Sequence, residues 1–349
     1  MMFEPTRPAA LTRLQNFVPH AGRDYAAQRN YDRASHDNVS RLSPYLRHRL
    51  ITEDEVLRAV LAKHSPSSAE KFIQEVYWRT YWKGWLEQRP AIWTAYRAGL
   101  QSALNRVQTE SGLRAEWEAA CAGDTGIDCF DAWARELADT GYLHNHARMW
   151  FASIWIFTLR LPWELGADFF MRHLLDGDPA SNTLGWRWVG GLQTIGKTYL
   201  ARPDNIAKYT EGRFRPSGLA TWAAPLDGPP HPERTPVSTS DPIPQGKLGL
   251  LITEDDLSPN WLLDQFTPAA TATYNGTSHR SPLMVNPTVT DFADQAIADA
   301  SHELIAVTKC DNIEAIDAWA VRHNLDGIVT PYTPIGGTAD ALAGLATPL

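Results

Sequence analysis

Cysteine is scarce in this chain of 349 residues. Cys121, Cys129 and Cys310 are too few for a disulfide framework or for a cluster held by four thiolates, so they read as free thiols. Long apolar runs are missing as well. None approaches the ~20 residues that span a bilayer, and residues 1–20 lack the charged-then-apolar layout of a secretory leader. A cytoplasmic location without membrane contact is the expectation. Cations are rare at one end: residues 224–349 hold 5 Lys and Arg against 16 Asp and Glu, whereas the first 223 hold 27 against 24, within a total charge of −8. Any contact with a polyanion therefore belongs to the front part, provided its basic side chains gather on one face. The acidic end is left for a protein partner.

Aromatic residues are plentiful by contrast, and 12 of the 14 Trp precede residue 223. The same front part is helical in pattern. Apolar residues recur at three and four over 53–63, 69–87, 129–140, 145–159 and 163–175, with starts marked by Thr52 and Glu55 at capping-box spacing, by Ser65-Pro66 and by Pro162. Residues 224–247 then carry seven prolines and almost no periodicity, which predicts an extended linker or a peptide draped over a surface. Beyond it, short apolar strands at 248–253, 302–308 and 327–330 alternate with helical stretches at 292–300 and 313–323. The expected organisation is a mainly α protein: an all-α domain over 1–223, a linker over 224–247 and a small α/β unit over 248–349.

The stretch 176–188 crowds Asp176, Asp178, Asn182, Trp186 and Trp188 around a turn of small residues. Neither a core helix nor a surface loop needs that mixture. A hard-cation loop would require further oxygen ligands at close spacing, and the indoles supply none, so no metal is expected. What fits is a flat polar heterocycle whose N–H edge is hydrogen-bonded by Asp and Asn while rings pack beside it. A flavin has that shape.

This stretch resembles the flavin-contacting segment of DNA photolyases and cryptochromes. The resemblance extends upstream in order through Tyr25-Ala-Ala-Gln-Arg29, Ser40-Arg41-Leu42-Ser43-Pro44-Tyr45-Leu46, Gln74-Glu75-Val76-Tyr77-Trp78-Arg79 and His144-Asn145-His146-Ala147-Arg148-Met149, covering roughly residues 20–215. It implies a photolyase-type FAD-binding helical domain with FAD as cofactor. The α/β antenna domain that usually stands ahead of this domain is expected to be missing. Residues 248–259 faintly resemble its opening strand, so the C-terminal unit is either a permuted remnant or an unrelated cap.

Position by position, the resemblance assigns Tyr25, Ser40, Arg41, Leu42 and Ser43 to the flavin phosphates, with Val39 where a threonine is usual. Read alone, Ser40 and Ser43 bracket a turn before Pro44 that suits either a diphosphate or an ordinary helix start. Arg148 and Asp176 match the buried ion pair beside the isoalloxazine, with Asp178 at the ring or sugar and Asn182 facing flavin N5. Trp186 and Trp163 match the first two members of the tryptophan chain that feeds electrons to photoexcited flavin, although core packing alone would explain any single indole. Glu110 stands where the outer indole usually sits, with Trp117 a few residues away. Glu75, Trp78, Asn145, Met149 and Trp188 match the pocket for a cyclobutane pyrimidine dimer, and Asn145 borders the cofactor as well. Arg29 and Arg79 match positive positions near the DNA backbone and the flavin phosphates. Repair of the 6-4 product uses histidines where Asn145 and Met149 stand.

The implied activity is that of a deoxyribodipyrimidine photolyase-like lyase. It repairs UV-damaged DNA, single- or double-stranded, by electron transfer from excited reduced FAD. Two readings stay beside it. A cryptochrome-like blue-light sensor without repair would explain why Val189-Gly-Gly-Leu-Gln-Thr-Ile follows Trp188, where repair enzymes usually carry Thr-Gly-Thr-Asp. A helical flavin-binding or structural protein without any light function would need no indole chain.

Overall fold

Caps and prolines set most helix starts in the front part. In the computed structural model, which describes residues 3–237, 239–304 and 306–349, twelve α-helices precede the Pro-rich segment among the described residues. They are α1 (Arg7–Phe17), α2 (Arg23–Gln28), α3 (Ser43–Arg47), α4 (Glu53–Leu61), α5 (Pro66–Glu87) and α6 (Ala91–Thr109), followed by α7 (Ser111–Ala122), α8 (Asp128–Thr140), α9 (Asn145–Ser153), α10 (Trp163–His173), α11 (Pro179–Val189) and α12 (Pro203–Tyr209). Thr52 and Glu55 form the expected capping box on α4, Ser65 caps α5, and Asp178 caps α11 by accepting from the Ser181 amide at 2.8 Å. The helix expected over 145–159 is α9 plus a π-helical turn at Ile154–Thr158, which re-aims Trp155.

Around α8 to α11 lies an aromatic core. Trp133 stacks on Trp150 at 5.5 Å, Phe130 on Phe151 at 4.2 Å, and Trp155 meets Trp186 edge-to-face at 6.1 Å. Gly166 on α10 makes that last contact possible, because a Cβ there would lie 2.3 Å from the Trp186 ring.

The Pro-rich segment has no regular structure among its described residues and runs along the helical body. Backbone bonds from Leu226 N to Gly190 O and from Thr235 N to Gln88 O, both 2.9 Å, pin it there. Next come β1 (Leu248–Thr253), α13 (Asn260–Leu263), β2 (Ala270–Tyr274), α14 (Pro287–Ser301), β3 (Val307–Cys310), α15 (Ile313–Arg322), β4 (Gly327–Val329) and α16 (Gly337–Leu342). The four strands form one parallel sheet in the order β3-β2-β1-β4. Two strand expectations need correcting. β2 escaped the sequence reading because Ala-Thr-Ala-Thr-Tyr has no apolar run, yet all five residues are buried between neighbouring strands. The strand expected over 302–308 begins only at Val307, because α14 extends to Ser301 and a turn follows it.

The sheet docks on the helices through a common core. Phe3, Leu14, Tyr45 and Leu50 from the front pack in one cluster with Leu250, Ile252, Phe292 and Ile297 from the back. Buried polar contacts cross the same boundary: Arg47 pairs with Asp255 at 2.6 Å, His48 Nδ1 meets Glu254 O at 2.7 Å, and Arg280 donates to Leu174 O at 3.1 Å. Glu254 in turn accepts from Thr338 and from the Gly276 amide.

Candidate functional site

A cavity of about 900 Å³ opens between α2, α5, α9 and α11. That volume falls within the roughly 300–1,000 Å³ of small-molecule and cofactor sites. One wall is the loop leading into α3. Arg41 has φ of 53°, an uncommon conformation for a residue with a side chain, and the turn it makes brings Ser40, Leu42 and Ser43 to the cavity beside Tyr25 and Val39.

The opposite wall comes from α9, α11 and the link before α11. Arg148 donates to Asp176 at 2.9 Å and to Leu143 O at 2.8 Å. Burial pushes the Asp176 carboxyl up, but Arg148 and Arg79 outweigh it with help from the Ser43 hydroxyl, so the group lies below the ordinary carboxylate range. For Asp178 burial is again the largest influence, and Lys83, Arg79 and Arg47 together overcome it and bring the carboxyl to about 2. Both acids are ionised at neutral pH. Asn182 donates its Nδ2 to Ala167 O at 2.8 Å, which leaves the carboxamide oxygen for the cavity it lines.

The third wall is one face of α5, bearing Glu75, Trp78, Arg79, Trp82 and Trp85 at three- and four-residue spacing. Glu75 is ion-paired with Arg29 of the α2 C-terminal turn. Trp78 is 46% exposed and stacks on Trp82 at 5.6 Å. Across the mouth Trp188 stacks on Tyr199 at 5.6 Å, and Asn145 and Met149 complete this end. The segment after Trp188 forms the rim through Gln193 and Thr194.

Of the eighteen residues singled out from sequence, seventeen line this cavity, and Trp163 does not. Trp163 packs on Tyr96 at 5.6 Å, and Tyr96 packs on Trp93 at 5.4 Å. Trp186, which borders the cavity, is in ring contact with Trp155. Glu110 is exposed and ion-paired with Arg106 at 2.8 Å, while Trp117 sits at the edge of the aromatic core. Sequence reasoning missed Trp82, Lys83, Trp85, Arg89, Tyr142 and His231, all of which lie in or beside the cavity. Continuing the α5 face beyond Arg79 at the same spacing would have found the first four.

Several buried polar atoms around the cavity have no hydrogen-bond partner within the chain, although some of them face an opposite charge at longer range. Arg41 Nε and Arg79 Nη1 are donors of this kind, and Asp176 Oδ1 and Asp178 Oδ2 are acceptors. Buried groups of this sort are normally hydrogen-bonded. Arg41 and Arg79 supply donors, and Asp176, Asp178 and the Asn182 carboxamide supply acceptors, a mixture that suits a group carrying both phosphates and a polar heterocycle.

The family described as the FAD binding domain of DNA photolyase matches residues 72–216. Over those residues the helical part of this chain is similar to that domain. A deoxyribodipyrimidine photo-lyase of Synechococcus is 34% identical over 192 residues, covering 53% of this chain and 38% of the relative. One from Thermus thermophilus is 34% identical over 248 residues, covering 69% of this chain and 54% of the relative. The chain thus spans about half or less of the length of the photo-lyases it matches. A class III photolyase of Agrobacterium tumefaciens has a solved structure 26% identical, with a TM-score of 0.49 over 59% of this chain and 43% of that one. Among the described residues no helix is long and apolar enough to cross a membrane, and no group of His, Cys, Asp and Glu is arranged to hold a metal ion.

Proposed function

We propose that this chain binds FAD in the helical cavity and uses light to split cyclobutane pyrimidine dimers in UV-damaged DNA. The observation that carries the reading is a single cavity lined by two chemically distinct sets of side chains. Ser40 to Ser43, Arg79, Arg148, Asp176, Asp178 and Asn182 form one set of lining residues, and Glu75, Trp78, Met149 and Trp188 another.

Each group has a definite part. The hydroxyls and amides of the 40–43 turn hold the diphosphate with Arg79, and the Arg148–Asp176 pair presents a fixed carboxylate to the flavin N–H edge. Asp178 is held by Arg79 and Lys83, each at 3.7 Å, and keeps its charge against burial. Asn182 offers its carboxamide oxygen at N5. At the mouth, Trp78 and Trp188 supply flat apolar faces for an extruded lesion, which is poorly stacked and therefore costs little to extrude. Glu75, steered by Arg29, accepts from pyrimidine N–H groups. When bound and reduced, the flavin supplies the photoexcited electron that opens the cyclobutane ring and then recovers it. Trp186 is the indole placed to re-reduce an oxidised flavin.

The test is direct. Reduced protein is incubated with dimer-containing single-stranded and duplex DNA under blue light, and lost lesions are counted. Repair of at least one substrate is expected, and no loss at saturating protein contradicts the proposal. Glu75→Ala is expected to lower the yield while bound FAD is unaltered, and an equal yield would mean that the lesion sits elsewhere.

A further inference from the structure

The cavity extends past the residues assigned to flavin and lesion. Beyond Trp78 the α5 face continues through Trp82 and Trp85 to Arg89 just past the helix end, and the Pro-rich segment closes over it with His231. Three observations distinguish this extension from simple packing. His231 Nε2 is 3.0 Å from Gln193 O, and since a carbonyl only accepts, that nitrogen carries the proton in the neutral ring. The other ring nitrogen, Nδ1, is then an acceptor, and it is buried without a partner. Gln193 Oε1 is a second buried acceptor without one. Arg89 is only 8% exposed, its guanidinium lies 4.3 Å from the Trp85 ring centre, and its Nε and Nη1 also lack partners.

Two acceptors want N–H donors, a guanidinium with free N–H groups wants an anion, and Trp82 and Trp85, already in contact with Trp78, Arg89 and His231, add apolar ring surface for a flat ring. A nucleotide offers all three. We propose that Trp82, Trp85, Arg89, Gln193 and His231 form a subsite for the nucleotide next to the lesion on the same strand. Its base lies against the indoles with its N–H edge on His231 and Gln193, and its phosphate is taken by Arg89. Trp78 and Trp85 are seven residues apart on α5, a span of about 10 Å at the helical rise of 1.5 Å per residue. That is more than the roughly 3.4 Å between stacked neighbours. That spacing leaves room for one further nucleotide beside the lesion. The backbone anchors at Leu226 and Thr235 hold the segment carrying His231 in place before DNA arrives.

This inference rests on the lesion pocket proposed above, and the test separates the two. FAD-loaded protein is titrated in the dark, by calorimetry, with a bare thymine-dimer dinucleotide and with trinucleotides that add one nucleotide on the 5′ or the 3′ side. One of the trinucleotides is expected to bind about tenfold more tightly than the bare dimer, in keeping with one added base stack. His231→Ala and Trp85→Leu are expected to remove that gain and leave bare-dimer affinity and FAD content unchanged. Arg89→Gln, which also removes a cation, should lower the salt dependence of trinucleotide binding. Equal affinity for all three probes in the unaltered protein overturns the subsite and leaves the lesion pocket standing. Equal weakening of bare-dimer binding in both variants overturns it too. No binding of the bare dimer overturns the lesion pocket and the subsite together.

Discussion

At the scale of single residues, the site depends on two carboxylates that stay charged although buried. A carboxyl drawn below its ordinary value stabilises the folded state above that value and stops doing so as pH falls through the folded one. For Asp178 the ordinary value is about 3.9, and the folded value is about 2. The melting-temperature gap between the unaltered chain and Asp178→Asn should therefore be full above about pH 4 and close as the pH approaches 2. A gap that widens on acidification would contradict the assigned charge. Asp176 and Asp178 were legible in sequence because a Gly-separated acid pair followed by a carboxamide and indoles has few other uses. Lys83 was not, since one lysine on an amphipathic helix reads as a solvated face. Only the fold turns it toward Asp178.

At the scale of elements, α5 and the α9–α10 junction organise the cavity and its surroundings. Most helices were legible because caps and periodicity agree. The π-helical turn at Ile154–Thr158 was not, since one extra residue in a turn leaves the apolar pattern nearly intact. It matters because it places Trp155 against Trp186, whereas Trp163, matched by resemblance as the next indole, packs on Tyr96. Trp155→Phe should therefore slow flavin photoreduction by thiol under continuous blue light, as Trp186→Phe should to a greater degree. Flavin absorbance before illumination verifies that the pocket survives. A rate unchanged by Trp155→Phe would direct the path through Trp163, and rates unchanged in both variants would leave the indoles as packing alone.

At the scale of the whole molecule, the helical half and the C-terminal α/β unit share a core and a set of buried charges. The Pro-rich segment and the switch to short strands were legible as composition. The docking was not, because Leu250, Ile252 and Phe292 look like the interior of a separate unit until Phe3 and Tyr45 are found against them. A chain ending at residue 223 should accordingly lose cooperative unfolding and fail to retain FAD. Arg47→Ala leaves the Asp255 carboxylate buried and unpaired, and urea unfolding should show a loss of about 3–5 kcal/mol. Replacing both partners by Met and Leu should recover much of that loss, and no loss in the single variant would mean that the pair is not closed in solution. The claim on which all of this depends is that the helical cavity holds FAD. It is tested most directly by the visible absorption spectrum of the purified chain after incubation with FAD and removal of the excess. The expected result is oxidised-flavin bands at one FAD per chain, absent from Asp176→Ala. A chain that stays colourless, or an Asp176→Ala variant that binds FAD equally well, would contradict it.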